Sequence, residues 1–211
     1  MASRKRAEQF NIIKDVINRP TSRQSDVTLL WGIAWLIIIS IIGWYFRIAP
    51  TSILGFIPVG YVPLLWHVVL NTIIWVVSCV LPFAYAMYIN RKTRTVELFG
   101  RMLYAHWPAM LLMLPGIVGG ESRITMYSTY MSGLNRYNLA KSFELYPEYT
   151  TLMLIMTCVI LIWYVYWSYN AFSGATKCKG LRFFALYILV VMCSQYLTAI
   201  TLEEVYKSLL R

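Results

Sequence analysis

The sequence predicts an all-α polytopic membrane protein with five transmembrane helices and an amino-terminal amphipathic interfacial helix. Three observations predict it. Five windows, 27–46, 48–90, 102–120, 149–176 and 183–202, contain no Asp, Glu, Lys or Arg, and a bilayer crossing takes about 20 apolar residues. Hydrophobic residues make up 59% of the 211-residue chain and charged residues 13%, against about 25% charged in soluble domains. The basic residues crowd into alternate gaps between the windows.

The first 26 residues are polar. They lack the apolar stretch of a cleaved signal peptide and the Gly that myristoylation needs, so neither is expected. Within them Phe10, Ile13 and Ile17 recur at i, i+3 and i+7, flanked by Lys and Arg and ended by Pro20. That spacing predicts an amphipathic helix suited to the interface or to the ends of the spans. The spans follow at about 27–46, 64–89, 102–120, 151–172 and 182–202, with a tail at 203–211. They leave no length for a soluble catalytic domain.

The positive-inside rule orients the spans. With the amino terminus in the cytoplasm, the inner segments hold 13 basic and 4 acidic residues, a charge of +9, and the outer ones 6 and 5, a charge of +1. The expected home is a bacterial inner membrane, with the carboxyl terminus periplasmic. Arg4, Lys5, Arg6, Lys14, Arg91, Lys92, Arg94, Lys177 and Lys179 are the expected contacts for anionic lipid headgroups. Nucleic acid is not an expected partner, because the basic residues are divided among three short segments.

Pro50, Gly55, Pro58, Gly60 and Pro63 break the apolar stretch after the first span, which reads as an external loop. The third span is short, contains Pro108 and Pro115, and carries the small residues Ala105, Ala109, Gly116 and Gly120. Small residues let helices approach closely in lipid, so this span belongs in the middle of the bundle or at a homo-oligomer contact. The Tyr-rich segment 121–150 reads as an external cap or interfacial helix. Trp163, Tyr164, Tyr166, Trp167 and Tyr169 read as an interfacial aromatic belt.

Intramembrane polar residues are candidates for function because burying them is costly. His67, Asn71, Gln195 and Thr198 are the expected lining of any polar cavity. His106 lies on the third span, far in depth from His67, so one metal or haem joining both is not expected. No acid lies within a window, which removes the commonest group for ion coupling. Cys79, Cys158, Cys178 and Cys193 include no Cys-x-x-Cys. No hydrolase elbow, phosphate loop, zinc-protease helix or paired-carboxylate pattern occurs. The expectation is a protein with no catalytic residues, metal or cofactor.

Two stretches resemble the Yip family, membrane proteins named for interacting with Ypt/Rab GTPases. One is Leu98, Phe99, Gly100 and Arg101 leading through Pro108 to Leu111 and Leu112. The other is Trp167, Tyr169, Asn170, Ala171 and Phe172, followed by Lys179, Gly180, Leu181, Arg182 and a last apolar span. The resemblance implies a divergent, bacterial-type member with five helices and a cytoplasmic amino terminus. Its function would be to organise membrane or bind partners, with a homo-oligomer or another membrane protein as candidates. The alternatives are a small-molecule or lipid transporter and a subunit of a larger membrane complex.

Overall fold

The computed structural model describes residues 25–118, 120–136 and 138–209. The expected amphipathic arm, with Arg4, Lys5, Arg6 and Lys14, lies outside the described residues. The chain is mostly helical. In order it forms α1 (Ser25–Phe46), β1 (Ile48–Pro50), β2 (Phe56–Pro58), α2 (Leu64–Ile89) and α3 (Thr95–Ala105). A 3-10 helix (Trp107–Met113), α4 (Leu114–Val118), α5 (Gly120–Asn135), α6 (Ala140–Leu145), α7 (Pro147–Thr176) and α8 (Leu181–Leu209) follow.

Among the described residues, four helices are long and apolar enough to cross a membrane: α1, α2, α7 and α8. Large apolar side chains stand exposed along them, such as Leu30 at 68%, Leu65 at 71% and Ile162 at 70%. In water such a surface drives association; against lipid it is solvated. α7 ends at Lys177, which takes a left-handed conformation with φ of 59°, and Arg47 does the same after α1 with φ of 55°. Each places a cation beside the negative end of its helix, where the charge is favourable.

The third expected span is not one continuous helix. Two prolines interrupt it. Pro108 has no N–H to donate and disfavours helical backbone at the residue before it, so α3 stops at Ala105 and a 3-10 segment takes over. Pro115 sits in the first turn of α4, where its missing N–H costs nothing. The interrupted segment runs parallel to α1. Gly100 lies against Leu29, Gly32 against Leu103, Met113 against Gly43, and Gly116 against Ile48. It therefore passes from one end of the bundle to the other, between α1 and α7. Leu98, Met102, Ala105, Ala109 and Leu112 are buried along it.

The stretch expected as an external loop is an antiparallel hairpin packed into the bundle. Ile48 faces Pro58, Ala49 faces Ile57, and Pro50 faces Phe56. Its tip closes with the Thr51 and Ser52 amides both donating to the Gly55 carbonyl, at 2.8 and 3.3 Å. Ile48, Ala49, Ile53 and Phe56 are almost fully buried. The alternation that marks a half-exposed strand is missing because both faces meet helices.

The aromatic belt expected on α7 is also different. Tyr164 and Trp167 are buried, and Trp167 stacks on Tyr104 with ring centroids 5.7 Å apart. Trp107 joins Trp163 on one side and Trp35 on the other, at 5.5 and 5.6 Å. Only Tyr166 of the five is largely exposed. The interrupted segment presents aromatic residues to α7 and draws that face of the helix inward. The 121–150 region forms α5 and α6; Tyr127 donates to the Leu112 carbonyl at 3.0 Å and Tyr130 bonds Thr157 at 2.8 Å.

A side chain at Gly100 meets the Leu29 backbone, with a Cβ there only 3.2 Å from the Leu29 Cα. Gly100→Leu is expected to cost about 1–3 kcal/mol through overpacking, read as a lower midpoint in SDS titration of the purified protein. Gly60→Ala, where a Cβ meets open space, is expected to leave that midpoint unchanged.

Candidate functional site

The bundle has two chemically distinct ends. At one, Asn90 Nδ2 donates to the Thr176 carbonyl at 3.0 Å and ties the α2–α3 connection to the α7–α8 connection. That bond sets Arg91, Lys92 and Arg94 beside Lys177 and Lys179, all exposed. The structure thus brings five of the expected headgroup contacts onto one rim. Arg101, counted among the inner charges, is instead buried and pairs with Glu97 at 2.7 Å.

The four residues expected to line a polar cavity do not share one. Asn71 donates to Ser40 Oγ at 3.1 Å and to the His67 carbonyl at 2.9 Å, joining α1 to α2. It borders a void of about 40 Å³ with Ser52, Phe56, Trp75, His106 and Met110, enough for no more than a few waters. Gln195 reaches this region only through Ser52, to whose Oγ it donates at 3.1 Å. Thr198 folds back onto the Ser194 carbonyl at 2.7 Å, satisfying itself within α8. His67 is buried beside Gly43, and its Nδ1 makes no hydrogen bond among the described residues. The hairpin tip stands between two of those four side chains, with Ser52 accepting from Gln195 and bordering the same void as Asn71.

His106 is held from three sides. Its Nδ1 lies 2.6 Å from the Met102 carbonyl, and its Nε2 lies 3.0 Å from Ser78 Oγ and 3.4 Å from the Tyr164 hydroxyl. The carbonyl only accepts, so Nδ1 carries the proton and Nε2 accepts from a hydroxyl. His67 and Ser78 are 11 residues apart on α2, about 16 Å along the axis. The two histidines therefore belong to separate environments. Among the described residues no three His, Cys, Asp or Glu side chains gather as a metal site would require.

Ala105 and Ala109 are buried in the core. A Cβ on Gly116 would stand 2.8 Å from the Tyr127 ring, so this glycine admits an aromatic ring of the same chain. Gly120 opens α5, so the Gly-x-x-x-Gly pair straddles two helices and forms no single ridge.

A larger cavity, about 960 Å³, lies at the opposite end, and sequence reasoning missed it. The loop after β2, the first turns of α2, the end of α5 and the outer turns of α8 bound it. Arg136 and Glu203 line it, together with Trp66, Leu70, Tyr196 and Ile200. The two charges are 67 positions apart in sequence, and the packing of α5 on β2 brings Arg136 to the space that Glu203 lines. No family model, curated protein or solved structure matches the chain.

The His106 contacts predict a coupled response. His106→Leu strands buried hydroxyls and is expected to cost about 1–3 kcal/mol. A cycle with Ser78→Ala, measured by SDS unfolding, is expected to give a coupling energy of at least about 0.5 kcal/mol. Strict additivity would contradict the hydrogen bond.

Proposed function

We propose that this is a non-enzymatic membrane protein that organises lipid or partner proteins, with a basic cytoplasmic rim gripping anionic headgroups. The observation that carries the reading is how little space the described residues leave at the centre of the bundle. The interrupted segment and the hairpin occupy the centre of the bundle, and the void left there is about 40 Å³. A solute path needs a wider space than that. The rim of Arg91, Lys92, Arg94, Lys177 and Lys179 suits an anionic leaflet, where each such charge contributes about 1 kcal/mol.

The same proposal counts five crossings. The interrupted segment, laid end to end, is about 38 Å long, against about 30 Å of hydrocarbon. Five crossings put the rim and the amino-terminal arm on one side and the hairpin end on the other, and the positive-inside rule makes the rim side the cytoplasm. The Yip resemblance belongs to this proposal too, and both resembling stretches have packing work consistent with it. Gly100 admits Leu29, and Tyr169 donates to the Gly180 carbonyl at 3.1 Å across the α7–α8 turn.

Cys178 lies partly exposed on the rim, whereas Cys79 is buried and Cys158 and Cys193 lie within the long apolar helices. A membrane-impermeant maleimide is expected to label Cys178 in inverted vesicles and not in right-side-out ones; the reverse would turn the orientation over. Changing all five rim cations to Gln is expected to cut the phosphatidylglycerol retained through mild purification several-fold. Equal retention would remove the rim from the proposal.

A further inference from the structure

The 960 Å³ cavity is at the upper end of the size range of ligand sites, about 300–1,000 Å³. Its chemistry is graded with depth. Arg136, at the end of α5, and Glu203, near the outer end of α8, supply opposite charges. Tyr196 and Ile200 lie three to seven residues back along α8 from Glu203, roughly 5–10 Å toward the middle of the bundle. Leu70 lies six residues into α2 from Leu64, about 9 Å along its axis. Tyr196 and Ile200 are 60% and 42% exposed, so the apolar floor runs on into the lipid-facing surface of α8. A charged mouth above an apolar floor continuous with the bilayer fits an amphiphile better than a soluble solute.

The charges narrow the class. Arg136 makes no ion pair among the described residues, and none joins it to Glu203. Glu203 meets Lys207 through one oxygen, at 3.0 Å, and Lys207 is shared with Glu204 at 2.9 Å. Two carboxylates thus face one ammonium, which leaves room for a second cation. Trp66 adds an aromatic ring to the same wall, a surface that attracts an ammonium. An anionic headgroup alone would meet Glu203 as a repulsive neighbour.

We propose that this vestibule binds the headgroup of a zwitterionic phospholipid, with its phosphate on Arg136, its amine on Glu203 and its chains along α2 and α8. The site is independent of the basic rim, which is at the other end of the molecule.

The test is native mass spectrometry of the full chain, released from detergent containing equimolar phosphatidylethanolamine and phosphatidylglycerol. Phosphatidylethanolamine adducts are expected to dominate when the five rim cations are Gln, which removes the phosphatidylglycerol that the rim would hold. Arg136→Gln is expected to reduce them about tenfold, as loss of a charge-assisted hydrogen bond does, and Glu203→Gln to shift the preference toward phosphatidylglycerol. The exchange of both charges, Arg136→Glu with Glu203→Arg, keeps the complement and is expected to bind better than either single reversal. Circular dichroism and a single elution peak check that each variant is folded. Equal binding of both lipids by the chain whose five rim cations are Gln, or phosphatidylethanolamine binding that survives both neutral variants, overturns the proposal. The five rim substitutions are expected to leave phosphatidylethanolamine adducts unchanged, so failure of the rim reading and failure of this one are distinguishable.

Discussion

Hydrocarbon does not hydrogen-bond a peptide group, and the rest of this structure depends on that constraint. Irregular backbone at membrane depth survives only when protein surrounds it. This chain places two such segments inside the bundle. The hairpin satisfies its own amides through strand pairing and the turn at Gly55. The 3-10 segment keeps helical bonding of a tighter kind across Pro108. The long helices α1, α2, α7 and α8 serve as the wall that keeps lipid away from both.

Helices in a bilayer gain little from hydrophobic burial, since lipid is as apolar as their side chains; close packing and interhelical polar contacts take its place. Both are present. α1 and α3 meet where Gly32 and Gly100 remove the side chain that would hold them apart. Asn71 with Ser40, Ser78 with His106, and Gln195 with Ser52 each join different elements. The aromatic group around Trp107 and Trp167 fills the space beside the 3-10 turn with rings in edge-on contact, at 6.1 Å, a favoured geometry. Asn71 and Gln195, which look like candidates for a transport path, are thereby committed to holding elements together.

The two ends of the molecule address the bilayer differently. One is a ring of cations held together by the Asn90–Thr176 bond. The other combines opposite charges with an apolar floor that continues onto a lipid-facing helix. The two ends thus present unlike chemistry, and the void among the described residues at the centre of the bundle is only about 40 Å³.

Composition and charge placement alone determined the membrane class, the four long apolar helices and the segregation of basic residues, because a bilayer filters sequence by hydropathy over windows of about 20 residues. The prolines at 108 and 115 marked the third window as abnormal, and the small residues at 105 and 109 marked it as buried. Tertiary structure decided the rest. Whether Pro50 to Pro63 lies on the membrane or within the protein depends on which helices surround it, and strands buried on both faces carry no period-two signal. Tyr164 and Trp167 have the composition of an interfacial belt, and only the neighbouring 3-10 turn makes them core. Arg136 and Glu203 line one cavity because α5 packs on β2 beside it, a long-range contact that no local pattern encodes.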